Sequence, residues 1–398
     1  MARTLLIVGA SGRAAAASAV RSGWQPVVID LFADEDTRAL GPVLQCPLAD
    51  YPHGFLALAE RALPGPWMYT GGLENDPAIV VAISRNRKLL GVPPEVLELV
   101  RDPFRLAAIL PMPAMRKSGE LLDPGKRWLR KPLRGSGGFG IEAMESSPGS
   151  LAGRASDGGR SGENVGIAAP FPGSWPSLTR SANGSSEGNY AQEWVAGSSN
   201  SALYLFTESG PPALVGICSQ LIGETWLNAP LFRYCGNIGP LPMDSGLSAE
   251  LRGIGNALQP LGLRGLIGID FIRSSDGIRV LEINPRYTAS VELYERSSGR
   301  TLLAEHIEAL ASKLRALPWA ENFQPVGLKI HGKAILYAER RFEVPSDHPW
   351  HGPSFADIPA VGSVIPSGQP VVTLFASADT EPECREQLKL LAQRSAPR

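Results

Sequence analysis

Apolar residues in the first hundred positions form short continuous runs separated by segments with helical spacing. The runs are Thr4–Val8, Gln25–Ile29 and Trp67–Thr70, and the helical segments are Ala14–Arg21 and Phe55–Ala62. Strands that alternate with helices in this way are typical of a parallel sheet. The pattern predicts an N-terminal parallel α/β domain over residues 1–100.

The pattern changes after residue 100. A helix is predicted from Arg101 to about Leu110, because Pro111 and Pro113 force an extended connection beyond it. A strand at 127–132 follows. Ser, Gly, Ala and Pro dominate residues 145–189, and this composition predicts a mobile surface insertion.

Apolar, β-branched runs return after residue 190 and predict a mostly antiparallel sheet. These runs are Tyr190–Val195, Ala202–Phe206, Ala213–Leu221, Leu266–Ile272 and Ile278–Ile283. Apolar spacing predicts helices at Ser248–Leu258 and Ser298–Arg315. Further short strands at Lys329–Tyr337, Ser363–Ile365 and Val371–Phe375, with a helix at Glu381–Gln393, predict a small β-rich C-terminal section.

Composition narrows the class of protein. The 398 residues contain 38 Lys and Arg against 39 Asp and Glu, so no excess charge indicates a nucleic-acid partner. The four cysteines are far apart and have no metal or redox spacing. The N-terminal apolar run is too short for a signal peptide or a membrane span. We expect a cytoplasmic protein with no membrane partner.

The segment 266–286 carries the strongest chemical signal. Asp270 precedes a hairpin turn near Ser274–Gly277, and Glu282 and Asn284 stand two positions apart on the returning strand. Since side chains alternate along a strand, Glu282 and Asn284 share a face, and the hairpin places Asp270 beside them. Buried carboxylate and amide oxygens predict a hard cation such as Mg²⁺, in preference to a structural hairpin network. Arg286, two positions after Asn284, is a cation that would face the same negative charge.

Two further segments indicate a nucleotide-binding site. Lys131 stands before the glycine-rich segment Gly135-Ser136-Gly137-Gly138. A lysine supplies a point charge for phosphates, and the glycines let backbone N–H groups approach phosphate oxygens. The Walker A pattern is absent, so we interpret residues 133–140 as a nucleotide flap of another kind; an ordinary flexible loop is the alternative. Residues 192–195, with Gly197 beyond them, form an extended segment suited to reading an adenine edge.

Taken in order, the lysine with its flap, Q-E-W-V-x-G at 192–197 and G-x-D-F…E-I-N-P-R at 268–286 resemble the ATP-grasp superfamily. The resemblance covers residues 1 to about 318. Within the superfamily, the sequence resembles predicted carboxylate-amine ligases related to biotin carboxylases. It implies four regions. These are the α/β domain at 1–100, a small ATP-grasp subdomain with the flap and insertion at 101–190, a large subdomain with the metal site at 191–318, and the β-rich section at 319–398.

The resemblance also implies cofactors and residue roles. ATP and one or two Mg²⁺ ions are expected, with Mn²⁺ as an alternative. Lys131 would contact the α/β-phosphates, the flap residues Gly135, Ser136, Gly137 and Gly138 would cover the β/γ-phosphates, and Arg286 would steady the transferred phosphoryl group. The base would meet Gln192, Glu193, Trp194 and Val195, and the metal would meet Asp270, Glu282 and Asn284.

The implied activity joins a small-molecule carboxylate to a nucleophile through an acyl phosphate. An amine is expected as the nucleophile, for example when glutamate is added to a cofactor precursor. Homodimers are common in similar proteins. Arg13, Glu74, Asn75 and Tyr287 are predicted to contact substrate, although Glu74 and Asn75 also suit helix capping.

The sequence departs from the family at two places. A lysine often follows the aspartate of the linker helix, but Pro103 follows Asp102 here, so either Arg101 or Arg105 substitutes for the lysine or its contact is lost. The acid that commonly contacts the ribose is replaced by the segment 198–200, Ser-Ser-Asn.

Other functions remain as alternatives. The same fold supports a phosphotransferase, and a nucleotide-binding regulator without turnover fits the two departures. An NAD site at Gly9–Gly12 with Asp30 is disfavoured because the glycine spacing is not G-x-G-x-x-G. His348 and His351 lack a third ligand and indicate a surface turn.

Overall fold

The computed structural model describes residues 3–144, 188–208, 210–311 and 329–396. The predicted insertion at 145–189 therefore lies almost wholly outside the described residues. Among the helices that these ranges contain, none is long and apolar enough to cross a membrane.

The N-terminal region is a four-stranded parallel sheet, as the sequence predicts. Its strands are β1 (Arg3–Val8), β2 (Trp24–Asp30), β3 (Val43–Gln45) and β4 (Trp67–Tyr69), in the order β3-β2-β1-β4. The helices are α1 (Arg13–Arg21), α2 (Glu35–Arg38), α3 (Gly54–Arg61), α4 (Pro77–Ser84) and α5 (Pro94–Val100). Leu5 to Val8 are fully buried, which explains why this strand is continuously apolar rather than alternating.

A small antiparallel sheet follows the first region. It contains β5 (Met115–Lys117), β6 (Trp128–Pro132), β7 (Glu142–Met144) and β8 (Asn189–Glu193), in the order β5-β8-β6-β7. The helix predicted from Arg101 to Leu110 is shorter: α6 spans Pro103–Leu106, and Asp102 caps it by accepting hydrogen bonds from two backbone N–H groups. The chain continues in turns because Pro111 and Pro113 rule out a helix beyond them.

The largest element is an eight-stranded antiparallel sheet. It contains β9 (Ser198–Phe206), β10 (Ala213–Ile222), β11 (Tyr234–Leu241), β12 (Gly265–Ser274), β13 (Gly277–Asn284), β14 (Ile330–Tyr337), β16 (Phe355–Ala356) and β18 (Pro370–Ala378). The strand order is β13-β12-β9-β10-β11-β14-β18-β16. The C-terminal strands thus extend the same sheet, and the four-region division of the chain stays a prediction. A separate ribbon pairs β15 (Phe342–Glu343) with β17 (Val364–Ile365).

Four helices accompany this sheet: α7 (Ser245–Leu258), α8 (Val291–Ser298), α9 (Leu302–Leu310) and α10 (Glu381–Ser395). The helix predicted at Ser298–Arg315 is wrong at its start. Gly299, with φ of 68°, ends α8 in the left-handed conformation, and a new helix begins at Leu302. A glycine in this conformation is a common helix terminator. Residues 312–315 lie outside the described part of the chain.

Buried charges join three distant parts of the sequence. Both terminal nitrogens of Arg13 on α1 contact the Glu292 carboxylate on α8, at 2.6 and 2.7 Å, and Arg13 Nε donates to Asp357 at 2.9 Å. Lys333 on β14 donates to Glu292 at 2.9 Å. Burial opposes ionisation of Glu292, but Arg13 and Lys333 outweigh it and hold the pKa of Glu292 well below its usual range. A buried pair of this kind is costly to break because the remaining charge is left unpaired.

His306 on α9 links the two main sheets through backbone groups. Its Nδ1 accepts a hydrogen bond from Leu266 N–H at 2.8 Å, and its Nε2 lies 3.2 Å from the carbonyl oxygen of Leu90. This pairing requires the neutral ring with its proton on Nε2. Burial lowers the pKa of His306 to about 4.

We predict that His306 makes the protein sensitive to mild acid. The unfolded chain takes up a proton near pH 6.5, whereas the folded chain does so only near the lowered pKa of about 4. The free energy of unfolding should therefore fall by about 2 kcal/mol between pH 7 and pH 5 through this group alone. Urea unfolding of wild type and His306→Gln at pH 7 and pH 5 measures this contribution.

Glutamine suits this test because it both accepts and donates but does not titrate. The exposed His53→Gln is the control and should keep the wild-type pH dependence. Equal pH dependence in wild type and His306→Gln would contradict the assignment.

Candidate functional site

The three predicted metal-binding residues meet at the paired ends of β12 and β13. Asp270 lies opposite Glu282 in the strand register. Asn284 Nδ2 donates to Asp270 Oδ2 at 2.9 Å and lies 3.4 Å from Glu282 Oε1. Gln220 Nε2, from β10, donates to the second oxygen of Asp270 at 2.9 Å. The hairpin geometry inferred from the spacing thus brings these oxygen and amide groups together.

The pKa values of the two carboxylates are shifted in opposite directions. Burial, with repulsion from Glu282 as the second cause, raises the pKa of Asp270 well above its usual value. Burial also disfavours the charged form of Glu282, but Arg101, Lys131 and Arg286 outweigh it and lower the pKa of Glu282. Both carboxylates would be ionised together most easily beside an additional cation.

The residues fit a hard divalent cation that also takes ligands from its substrate. The described part of the chain contains no group of three or more His, Cys, Asp or Glu side chains placed to hold a metal. This site offers two carboxylates and one amide, and Mg²⁺ usually completes such a set with water and phosphate oxygens. Asn284 Nδ2 donates to both carboxylates, so a hydrogen-bond donor lies between them.

Arg286 connects this hairpin with the N-terminal region. Its Nη2 donates to Asn284 Oδ1 at 3.1 Å, and its Nε donates to Glu74 Oε1 at 2.7 Å. Glu74 is 1% exposed, and its Oε2 has no hydrogen-bond partner among the described residues. Burial disfavours the charged form of Arg286, but Glu74 outweighs this and raises the pKa of the guanidinium.

The second half of the flap contacts the start of β11 and the residues just before it. Tyr234 N–H donates to Gly137 O at 3.1 Å, and the guanidinium of Arg233 lies over the Phe139 ring, 3.0 Å from its centroid. Gly138 has φ of 78°, and a Cβ there would overlap the carbonyl oxygen of Phe232. Position 138 therefore requires glycine for two reasons: the close approach to Phe232 leaves no room for a side chain, and the positive φ disfavours other residues.

Lys131 and the segment 192–195 form the opposite wall. Lys131 Nζ donates to Gln192 Oε1 at 2.9 Å. The N–H groups of Glu193 and Trp194 donate to the carbonyl oxygens of Ala114 and Arg127, each at 2.8 Å. Those two N–H groups are therefore occupied within the sheet, and Val195 is the next position that reaches the cavity.

A cavity of about 530 Å³ unites these groups. Every residue predicted to contact nucleotide or metal lines it: Lys131, Gly135, Ser136, Gly137, Gly138, Gln192, Glu193, Trp194, Val195, Asp270, Glu282, Asn284 and Arg286. Sequence reasoning missed Gln220, Phe232, Tyr234 and Asn237, which also line the cavity. They come from β10, from β11, which was not predicted, and from the loop between them.

The residues predicted to contact substrate separate into two pairs. Glu74 reaches the cavity wall through Arg286, and Asn75 contacts the flap by donating to Gly135 O at 3.2 Å. Arg13 and Tyr287 lie instead at the contact between α1 and α8. Arg13 is committed to buried carboxylates, and the Tyr287 hydroxyl, in a side chain only 3% exposed, lies 3.3 Å from Glu295. Their positions give the predicted substrate role no support.

Arg101 rather than Arg105 is the linker arginine at the cavity. Arg101 lines it and lies 3.3 Å from Glu282, whereas the Arg105 side chain is 64% exposed and pairs with Asp102. Of the two arginines, only Arg101 is therefore positioned at the cavity.

Comparison with known proteins finds a family match for part of the chain that lines this cavity. Residues 165–290 match the family model described as an ATP-grasp domain; residues 165–187 of that match lie outside the described structure. An uncharacterized protein of Methanocaldococcus jannaschii is 28% identical over 145 residues, which cover 36% of this chain and 33% of that relative. The match thus spans about a third of the relative's length.

Solved structures resemble the chain over almost its full length. A biotin carboxylase–βγ-ATP complex from Campylobacter jejuni has a TM-score of 0.69 at 15% identity, covering 98% of this chain and 91% of that one. The biotin carboxylase domain of Hydrogenobacter thermophilus 2-oxoglutarate carboxylase, in complex with MgADP, has a TM-score of 0.65 at 15% identity. That match covers 96% of this chain and 88% of the other. The L-amino acid ligase from Bacillus licheniformis has a TM-score of 0.65 at 15% identity, and the match covers 99% of this chain and 97% of the ligase. The expected fold is confirmed.

We predict that Gly138→Ala lowers ATP affinity by about tenfold or more, because a Cβ there displaces the flap from Phe232 and left-handed alanine is itself strained by roughly 1–2 kcal/mol. Isothermal titration calorimetry with Mg²⁺ and ATP measures the loss. Gly119→Ala is the matched control, because Gly119 has φ of 87° but faces open space. Equal affinities in the two variants would show that the flap contact is irrelevant to nucleotide binding.

Proposed function

We propose that this chain, which carries an ATP-grasp domain, is an Mg²⁺- and ATP-dependent carboxylate ligase that works through an acyl phosphate. The observation that carries the proposal is a cavity in which two partly buried carboxylates, three cationic side chains and a glycine flap converge. Phosphoryl transfer needs this combination, because its catalysis consists mainly of positioning and charge neutralisation.

The proposed roles follow from position. Asp270, Glu282 and Asn284 would hold Mg²⁺, which when bound neutralises charge on the phosphates. Lys131, fixed by Gln192, would place its ammonium group on the α/β-phosphates. The flap N–H groups would cover the β/γ-phosphates.

Two chemical steps are proposed. A substrate carboxylate oxygen attacks the γ-phosphorus, the bond from that phosphorus to the β-phosphate oxygen breaks, and ADP and an acyl phosphate result. An amine nitrogen then attacks the acyl carbon, inorganic phosphate leaves, and the nitrogen loses a proton. Arg286 would stabilise the transferred group, since its guanidinium lies beside Asn284 in the cavity wall.

Glu74 supports an amine as the second substrate. One of its oxygens is held by Arg286, while the buried Oε2 has no partner among the described residues. A buried carboxylate oxygen without a donor is costly, and an incoming amine supplies donors. The L-amino acid ligase similarity gives amino acids as the first class to test, including glutamate joined to a cofactor precursor.

Release of ADP from Mg²⁺-ATP, measured against pools of amino acids and small carboxylic acids, tests the proposal. We expect a carboxylate pool to stimulate ADP release in wild type, and hydroxylamine to trap a hydroxamate from the acyl phosphate. The double variant Glu282→Ala/Asn284→Ala should lose stimulated release by at least about a hundredfold, since electrostatic stabilisation of a transition state contributes on this scale. Arg130→Ala, which removes an exposed ion pair with Glu142, is the control.

The same assay separates the alternatives. ADP release and a stable phosphorylated product without hydroxamate would identify a phosphotransferase. Nucleotide binding with no stimulated release in any pool would favour a regulator and count against the ligase.

A further inference from the structure

Arg101 joins three segments that must be aligned for the proposed reaction. Its Nη2 donates to Gly135 O of the flap at 2.8 Å and to Asn75 Oδ1 at 2.7 Å. Its Nη1 donates to Glu282 Oε2 at 3.3 Å and to Ile283 O at 3.2 Å. The side chain is only 12% exposed, so these contacts form in a largely water-excluded place.

The terminal nitrogens of Arg101 are fully used by the protein. A guanidinium has four terminal N–H groups and one on Nε. The four acceptors above match the terminal groups one for one, and the buried Nε has no partner among the described residues. Arg101 therefore has little capacity left to bind a phosphate directly.

We propose that Arg101 is a positioning residue that fixes the flap relative to the metal-binding hairpin. The inference rests on the proposed function, since it assigns a task within that cavity. The Gly135–Ser136 peptide is planar, so a hold on the Gly135 carbonyl also sets the direction of the Ser136 N–H. The same guanidinium touches Glu282, so the flap and a proposed metal ligand share one rigid support.

Asn75 completes this support. It accepts from Arg101 and donates to the same Gly135 carbonyl. The carbonyl thus receives two hydrogen bonds from outside the flap, and the other end of the flap is held by Tyr234 N–H on Gly137 O. A lysine at 101 carries its donors on one atom and does not span Gly135 and Glu282 in the same way.

Trypsin cleavage at the Arg134–Gly135 bond tests the tether without a known substrate. Arg134 is exposed and directly precedes the tethered carbonyl. Without nucleotide, Arg101→Ala and Asn75→Ala should be cleaved there about tenfold faster than wild type, as expected for losing hydrogen bonds that involve a charged group. Arg105→Ala, which alters a neighbouring exposed arginine, should be cleaved at the wild-type rate. Mass spectrometry of early fragments identifies the bond.

Chemical rescue distinguishes positioning from general loss of structure. Guanidinium ions at millimolar concentration should restore protection of Arg134–Gly135 in Arg101→Ala, whereas ammonium ions should not. Arg101→Lys should stay unprotected, with wild-type circular dichroism. Unchanged cleavage in Arg101→Ala would overturn the proposal, as would full protection in Arg101→Lys.

A calorimetric measurement separates this inference from the proposed function. If wild type does not bind Mg²⁺-ATP, the proposed function fails, while the cleavage comparison without nucleotide still decides the tether. If Arg101→Ala loses ATP affinity but keeps wild-type flap protection, Arg101 contacts the nucleotide and the positioning role is overturned.

Discussion

Two carboxylates held side by side in a partly buried site impose the main constraint on this protein. Asp270 and Glu282 lie opposite each other on paired strands, and burial raises the pKa of Asp270 while nearby cations lower that of Glu282. Such a pair persists in a folded protein only if positive charge and donors surround it. Arg286, Arg101 and Asn284 meet this requirement.

The same constraint explains why the N-terminal domain belongs to the site. The cations beside the carboxylates need partners of their own, and those partners come from the loop after β4. Glu74 pairs with Arg286, and Asn75 pairs with Arg101. Ion pairs and hydrogen bonds therefore connect the loop of one sheet with the hairpin of the other, so the placement of Arg286 and Arg101 in the cavity wall depends on the packing of the two regions. The Arg13–Glu292 contact fixes their packing elsewhere.

The sequence predicted the parts of this arrangement that depend on local spacing. Glu282 and Asn284 share a face because strands have a period of two, and the hairpin turn returns them beside Asp270. It did not predict β11, in which Gly236, Gly239 and Pro240 hide the strand pattern. Nor does the local sequence reveal that Glu292 and Asp357 pair with Arg13, or that Glu295 lies beside Tyr287. Partners hundreds of residues apart are set by tertiary packing alone.

The segment where a ribose acid was expected illustrates how the buried charge shapes its surroundings. Ser199 Oγ donates to Gln220 Oε1 at 2.8 Å, and Gln220 Nε2 donates to Asp270 Oδ1 at 2.9 Å. The Gln220 amide turns its nitrogen toward Asp270, because a carboxylate accepts hydrogen bonds and does not donate them. An acid at position 199 would instead require the amide to turn or would add negative charge near Asp270. Neutral groups here therefore relay a hydrogen bond to Asp270 without increasing the repulsion that its cations must offset.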